Sequence, residues 1–585
     1  MANFGTALFK GTIPKMEDHD LPDAHGVLCK NATLDRGSIG PIKGTTLISD
    51  LGEGPYRTIY KMDSLWLKWS GVRDVVKAEI AESDHRIYWT SGALDYPKQT
   101  NATLAAAAFN THRFGVKSPL DCYPTTSALT IAPLGTGDGE VLQNVSYVYT
   151  YVDEFGEESA PSAPTANYDV QGGQYIQLAN FQIPSKPTCG SVITSVRVYR
   201  IEDDGVGGAQ YMLIAVRPTN LSTAEAYAVL ASLLPTTSSV VYDANAAVSP
   251  TGLTTSISES LPSESWLYLT ATATNLIQWQ NGILAATVNN EIYVSEPLIH
   301  YAWPLAYRNL TQHDVVGLGV HREALIITTK SYPYLLLGSD PENTTLERLP
   351  FKQACLSKRG ILSTDQGVMY PSPDGVYLVD GTNGRIATAH LLTKEQWNTD
   401  YYPSETLSFS YDDEAYFWRT GYPTGCILDL ANHDSLRQID MGVYHGLWHT
   451  FYDAENDVLY MLIWNAKTET YQIVSAFTSS TLLPFQWKSK VYRYPQPISM
   501  STARVLAEFS SGVTFEVYAD GVLTFNRTVT NDKPFRLRGG FRARTWQVYL
   551  SSKDKVTAYQ VATSTDELLR TPINANYSSS NSFST

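Results

Sequence analysis

Charge is scarce in this chain: only 17% of its 585 residues are Asp, Glu, Lys or Arg, and the acids outnumber the bases to give a formal net charge of −15. That balance offers phosphates no long-range attraction, so a grip on nucleic acid or on an anionic membrane is not expected. Cysteine is also sparse. Cys29, Cys122, Cys189, Cys355 and Cys426 are odd in number, far apart and never part of a Cys-x-x-Cys pair. They are expected to be free thiols in a protein made in a reducing cytoplasm, with neither a disulfide framework nor a zinc site. The first fifteen residues hold no apolar signal-peptide core, and no apolar run approaches the length of a membrane span, so neither secretion nor membrane insertion is expected. Missing too are a Gly-x-Ser-x-Gly elbow, a Walker loop and a Gly-x-Gly-x-x-Gly after a strand. Enzyme activity, a cofactor and a resident metal are therefore not expected.

Turn and strand chemistry is abundant instead, with 37 Tyr, 39 Gly and 30 Pro. Between about residues 275 and 477 one unit is written five times: an apolar strand, a tight polar turn, and a second apolar or aromatic strand. The copies pair 283–288 with 292–294 around Asn289-Asn290, 324–328 with 334–337 around Lys330-Ser331, and 367–370 with 376–379 around Asp374-Gly375. Two more pair 407–411 with 415–418 around Asp412-Asp413, and 448–452 with 458–463 around 453–457. Asn and Asp tolerate positive φ, which two-residue hairpin turns require. Spacing of about 40 residues is that of propeller blades, although a set of separate β-sandwiches shares the same short strands and frequent turns. A sixth copy is expected upstream, where 58–61 with 65–69 and 76–80 with 86–89 read as two hairpins of one four-stranded blade.

The flanking regions read differently. Residues 1–50 have little periodicity and many turn residues, as an extended arm would, and 51–115 hold the first blade and a linker. Residues 116–250 break the repeat with strands at 145–152, 192–201, 210–216 and 239–243, an autonomous fibronectin type III or immunoglobulin-like sandwich. Its loop from Phe155 to Pro164 is expected to be solvated and stiffened by proline, and Ser222-Thr223-Ala224-Glu225 is a capping box opening a helix. The remaining blades occupy 251–485, a second β-module 486–570, and a Ser/Asn-rich tail 571–585. In that last module Arg536, Arg538, Arg542 and Arg544 alternate along what reads as a strand, so they share a face. In an acidic chain they are candidate subunit contacts more than a DNA patch.

Groups that could carry chemistry are few. Glu157-Glu158 and Glu202-Asp203-Asp204 could be paired carboxylates or calcium ligands, yet adjacent acids in turns ordinarily face water. His445 and His449 could share a metal, but Gly446, Trp448 and the absence of an intervening Glu argue against a zinc helix. Ser372-Pro373-Asp374-Gly375-Val376 is the nearest approach to a sialidase Asp-box, with its glycine misplaced. No carboxylate pair is marked out for glycoside hydrolysis.

The opening pattern of Pro14, Leu21-Pro22, Ala24, Asn31 and Gly37-x-x-x-Pro41, then 86–92 (Arg-Ile-Tyr-Trp-Thr-Ser-Gly) and Pro97-Lys98, resembles the tail nozzle proteins of short-tailed bacteriophages, the tail tubular protein B family. The ending from Trp487 to Leu568 resembles the C-terminal part of that family. This resemblance implies an all-β chain, a six-bladed β-propeller with an inserted sandwich and a C-terminal β-module. It also implies a structural virion protein whose six copies form a ring below the head-to-tail adaptor or portal. Tail fibres or spikes would sit alongside, and double-stranded DNA would pass through without sequence-specific binding. A propeller adhesin or a glycan-binding or glycan-cleaving tail component is the alternative, and a cytoplasmic interaction scaffold a third.

Overall fold

The computed structural model describes residues 3–80, 83–92, 95–107, 109–124, 129–182, 190–203, 209–218, 241–243, 259–431, 433–442 and 445–570. The capping-box segment, the 571–585 tail, Cys189 and the side chains of Glu202-Asp203-Asp204 lie outside the described residues or atoms. The chain is built mostly of β-strands and divides into two compact units. One comprises Met1–Val72, Val315–Leu336 and Leu346–Thr585, and the other Arg73–Asp314 with Leu337–Thr345.

In the first unit all the later hairpins form. Ala324–Thr329 and Tyr334–Leu337 are the middle strands of a four-stranded antiparallel sheet that begins at Val315–His321 and ends at Thr345–Arg348. The next sheet runs Leu362–Thr364, Gly367–Ser372, Gly375–Asp380 and Asn383–Ile386. The third set, Thr406–Tyr411, Glu414–Arg419, Thr424–Asp429 and Leu436–Asp440, heads an eleven-stranded sheet. Its Asp412-Asp413 turn has φ of 52° and 57°, the left-handed pair that a tight hairpin needs. At the third hairpin Ser372 pairs with Gly375, so the turn residues are Pro373-Asp374, one position earlier than expected.

Each set packs its apolar face on the next. Ile326 and Leu335 meet Val368, Tyr370 and Tyr377. Met369, Val376 and Leu378 meet Ala415, Phe417 and Leu428. Leu407, Phe409 and Trp418 meet Leu447, Leu459, Met461 and Ile463. A single sheet of this kind cannot bury both faces alone, so serial stacking supplies its core.

The N-terminal fifty residues are extended, but they are paired strand by strand. Asn3–Thr6 lies on Val556–Ala562, His25–Lys30 on Phe485–Ser489, and Thr46–Gly52 on Thr470–Ser475. The last of these supplies the fourth strand of the sheet formed by His445–Asp453, Val458–Asn465 and Thr470–Ser475. A strand from the chain's start thus completes a sheet whose other strands lie about four hundred residues downstream, satisfying an edge that would otherwise expose unpaired backbone groups.

The expected upstream blade is corrected. Thr58–Met62 and Leu65–Trp69 form a two-stranded sheet of their own, with Ile59 packed on Tyr460, Leu462 and Ile473. In the second unit, Asp74–Lys77 and Ile87–Thr90 join Lys98–Thr100 and His112–Arg113 in a separate four-stranded sheet. Residues read as linker therefore furnish its last two strands. Its core, with Val76, Tyr88 and Phe114, is shared with Leu276, Leu284 and Tyr293 of the sheet Thr274–Gln278, Leu284–Val288, Glu291–Val294 and Asn309–Leu310.

Between these two sheets in sequence lies a β-module with its own core of Val145, Tyr147, Tyr149, Tyr151, Ile176, Leu178, Val196 and Val198. Among the described residues its strands form two three-stranded sheets, one of Tyr147–Asp153, Ile193–Asp203 and Ala209–Pro218, the other of Thr130–Leu134, Tyr175–Ala179 and Val241–Asp243, and a two-stranded sheet of Val141–Val145 and Tyr168–Gln171.

The C-terminal module packs Phe515, Val517, Trp546, Val548 and Leu550 against Val505, Tyr559 and Val561, with Phe4 and Phe9 of the first strands added to the same core. Among the described residues no helix is long and apolar enough to cross a membrane.

Candidate functional site

The four arginines are not on one strand. Phe535–Arg536 pairs with Thr502–Ala507 in one sheet, whereas Ala543–Ser552 belongs to another, with Gly539 and Gly540 between them. Alternation holds within each piece: Phe535, Leu537 and Ala543 are buried, while Arg536, Arg538, Arg542 and Arg544 are exposed. None of the four side chains makes a hydrogen bond or ion pair among the described residues. Next to them the hairpin turn Asp520-Gly521 is pinned by Asp520, whose carboxylate accepts from the backbone N–H groups of Arg544 (3.0 Å) and Thr545 (2.8 Å). Val522 and Leu523, 66% and 47% exposed, follow this turn on the edge strand Val522–Val529, which pairs with Val513–Ala519 and is separated by it from Ala543–Ser552.

The histidines are not brought together. A bulge between Leu447 and His449 breaks the strand's alternation. His445 Nδ1 lies 3.1 Å from the Met441 carbonyl, while His449 Nδ1 accepts from the Ile59 N–H at 3.4 Å. Burial and the Arg359 guanidinium push the His449 pKa down to about 3, so it is a neutral acceptor in the packing. Arg359 itself donates to the carbonyls of Trp448 and Arg57. No cluster of three His, Cys, Asp or Glu suited to a metal occurs among the described residues.

Asp374 sits in a turn, 2.8 Å from both Lys394 Nζ and Gln353 Nε2, and these contacts hold its pKa below the usual carboxylate value. The thiols of Cys29, Cys355 and Cys426 are buried and pushed up to about 12, which leaves them unreactive. Cys122 is half-buried.

The largest departure from expectation is the Phe155 to Pro164 loop, which is not solvated. Glu157 is 1% exposed and Glu158 5%. Glu157 accepts from Gln99 Nε2 at 2.9 Å and from Arg86 at 3.3 Å. Burial pushes its pKa up to about 7 against the pull of Arg86. Asp153 accepts from the N–H groups of Phe155 (2.9 Å) and Glu157 (3.0 Å), and burial together with the neighbouring Glu157 charge raises it well above its usual value. Glu158 accepts from Thr150 and Tyr199 hydroxyls, both at 2.6 Å, and pairs with Arg197 at 3.1 Å. Adjacent acids in a turn avoided water here because Arg86, Gln99 and Arg197 reach them from other strands, a partnership invisible in local sequence.

Beyond them, Ser159, Ser162 and Thr165 of the run Ser-Ala-Pro-Ser-Ala-Pro-Thr are buried while Ala160, Pro161, Ala163 and Pro164 are not. Their backbone N–H groups donate to the carbonyls of Tyr151, Tyr149 and Tyr147 at 2.9, 2.9 and 3.0 Å. In return their hydroxyl oxygens accept from the N–H groups of the same tyrosines at 2.9, 3.1 and 2.9 Å. A three-residue repeat with proline matches the three-residue turn of polyproline II, so one face of the segment zips onto the strand edge. The Ser/Thr spacing of three was the signal that could have predicted it.

No protein-family model and no curated protein matches this chain. Among solved structures it is similar to the Pan2 WD40 domain of Neurospora crassa, at 9% identity and a TM-score of 0.24 over 53% of this chain and 86% of that one. It is also similar to AztD from Citrobacter koseri, at 11% identity and a TM-score of 0.22 over 58% and 96%. A third is the glutaminyl cyclase of Myxococcus xanthus, at 8% identity and a TM-score of 0.21 over 34% and 89%. At such TM-scores the likeness fixes neither fold nor function.

Proposed function

We propose that this chain is a structural subunit of a short-tailed phage tail, a nozzle protein that assembles as a homohexameric ring around a conduit for double-stranded DNA. It would meet an adaptor or portal above and fibres or spikes alongside, in a particle assembled in the host cytoplasm. In this reading the serial sheets are blades of a six-bladed propeller interrupted by an immunoglobulin-like insertion, and no catalysis is involved. The observation that carries it is the exposed set Arg536, Arg538, Arg542 and Arg544, whose side chains make no hydrogen bond or ion pair among the described residues, in a chain of net charge −15. Four exposed guanidinium groups on an otherwise acidic protein suit acidic surfaces of like copies, and a heterologous contact of that kind closes into a ring when the rotation permits. A net acidic protein also gives passing phosphates no reason to stick, since affinity grows with the number of phosphates neutralised.

Native mass measurement of the purified full chain tests it, with cryo-microscopy of the assembly. A sixfold ring with a bore wide enough for duplex DNA and a wall not lined by Lys and Arg is expected. A trimeric spike, a monomer at every concentration, or a bore lined with basic side chains would overturn the reading.

A further inference from the structure

An open pocket of about 500 Å³ lies in the first unit where Glu53, Gly54 and Pro55 pass over Trp464, Glu469 and Tyr471. Glycine at position 54 makes the pocket possible, because a Cβ there would run into the Tyr471 ring. Trp464 and Tyr471 pack with ring centroids 4.8 Å apart, which fixes the indole as one wall. The Tyr471 hydroxyl is held from behind by Arg57 at 2.7 Å, and the Arg57 guanidinium is itself committed to the Trp448 ring at 3.5 Å. Glu53 and Glu469 are both exposed at the rim, and neither makes a hydrogen bond or ion pair among the described residues. The pocket therefore offers an aromatic face and two uncompensated carboxylates.

A planar guanidinium answers both features at once: it stacks on an indole through cation–π attraction and donates in a fork to carboxylates, where an ammonium provides only a point charge. The same protein carries the complementary group in the four exposed arginines of 536–544, whose side chains make no hydrogen bond or ion pair among the described residues. We propose that this pocket is an arginine socket, filled by a guanidinium from the 536–544 segment of a second copy of this chain. The proposal rests on the ring reading above and names the contact that would close it.

Two arms test it on the full chain. In the first, a Gly-Arg-Gly peptide, its citrulline analogue and a methyl glucoside are offered to the protein, and contact is read by saturation-transfer NMR. Citrulline has the same shape without the charge. The arginine peptide is expected to show contact, weakened at least tenfold in Glu53→Gln/Glu469→Gln and in Trp464→Ala, with the citrulline peptide silent. Equal signals from both peptides, contact by the glucoside alone, or no contact by any probe would overturn the socket. In the second, native mass follows assembly of Glu53→Lys/Glu469→Lys, of the four arginines changed to Glu, and of an equimolar mixture of these two variants. Each alone should lower the oligomer fraction at least tenfold, and the mixture should recover it, since every contact between unlike copies regains opposite charges. Assembly of the glutamate variant at wild-type levels would overturn the socket and leave the ring intact. A wild type that never assembles would overturn the ring, and with it the second copy as occupant.

Discussion

At Asp554, in the C-terminal module, a carboxylate that is 3% exposed is ringed by donors: the N–H groups of Ser510, Ser511 and Gly512 at 2.9, 2.9 and 2.7 Å, and the hydroxyls of Ser510 and Ser511 at 2.6 and 2.8 Å. At Asp153 and Glu157, in the second unit, two carboxylates share one dry site with a single close guanidinium, that of Arg86. Burial would raise the Asp554 pKa, but the hydrogen bonds from Ser510 and Ser511 outweigh it and hold the group well below the usual carboxylate range. At the pair, burial wins and Glu157 is pushed to about 7. The difference lies in the number of dipoles aimed at each charge: five neutral donors replace the water that Asp554 lost, whereas Asp153 and Glu157 divide one guanidinium and the N–H groups of Phe155, Glu157 and Gln99 between them.

The sharpest way to break this comparison is Arg86→Met, which removes the guanidinium and leaves buried carboxylates. By the general cost of orphaning one partner of a buried pair, it should cost about 3–5 kcal/mol. The loss should appear in hydrogen exchange as deprotection of Tyr147–Asp153 and Ile87–Thr90, while the C-terminal module keeps its protection. An unchanged exchange pattern would mean that the pair is neutral and needs no counterion.

Asp554→Ala comes next. It strips the acceptor from three backbone N–H groups that cannot all reach water, and should cost about 2–3 kcal/mol, confined to the C-terminal module. Urea melts followed by exchange mass spectrometry would locate the effect, and equal destabilisation of the second unit would contradict independent behaviour.

The two sites should also respond to pH in opposite senses. Asp153 and Glu157 have folded pKa values raised above those of the unfolded chain, so the folded state holds protons longer. Their contribution is fully present below the unfolded carboxylate values, about 4, and the part due to Glu157 is lost as pH climbs through about 7. Asp554 has a depressed folded pKa, so its contribution is present above about 4 and fades as pH falls below that. Glu157→Gln should flatten the neutral-side decline of the second unit without touching the acid-side decline of the module. Identical pH profiles for wild type and Glu157→Gln would show that the pair does not titrate in this window.

These sites also show what could be read in advance. The hairpins at 289–290, 412–413 and 520–521 were legible, because turn chemistry and period-two alternation are local, and Asn289, Asp412, Asp413, Asp520 and Gly521 do adopt positive φ. The alternation that exposes Arg536, Arg538, Arg542 and Arg544 was legible for the same reason. The partners of Thr46–Gly52 and of Asn3–Thr6 were not, since they lie more than four hundred residues away and strand pairing carries no local signature. Nor could local rules decide that Asp74–Lys77 and Ile87–Thr90 part from the preceding hairpin and join Lys98–Thr100 and His112–Arg113 in one sheet. Burial of Glu157 depended on Arg86, 71 residues upstream. The socket at Trp464 needed Glu53 and Glu469 brought together from opposite ends of the chain.

The smallest effect separates hydroxyl spacing from mere polarity in the segment beside the acid pair. Ser162 lies buried, and its Oγ accepts from the Tyr149 N–H at 3.1 Å and donates to the Ala163 carbonyl at 3.0 Å. Ser162→Ala leaves that N–H without its acceptor inside the module, and should cost about 1–2 kcal/mol. Ala160→Ser, two positions earlier and off the buried face, adds a hydroxyl where none is needed and should stay within about 0.5 kcal/mol of wild type, as surface substitutions usually do. Ser159→Ala should match Ser162→Ala, because it occupies the equivalent position one three-residue turn away and bonds Tyr151 in the same manner. Because Tyr149 and Tyr151 flank Thr150, whose hydroxyl reaches Glu158, either serine variant should also loosen the acidic site. Exchange rates of the Tyr149 and Tyr151 amides report the ladder directly. If Ala160→Ser speeds them as much as Ser162→Ala does, the three-residue register is not what holds this edge.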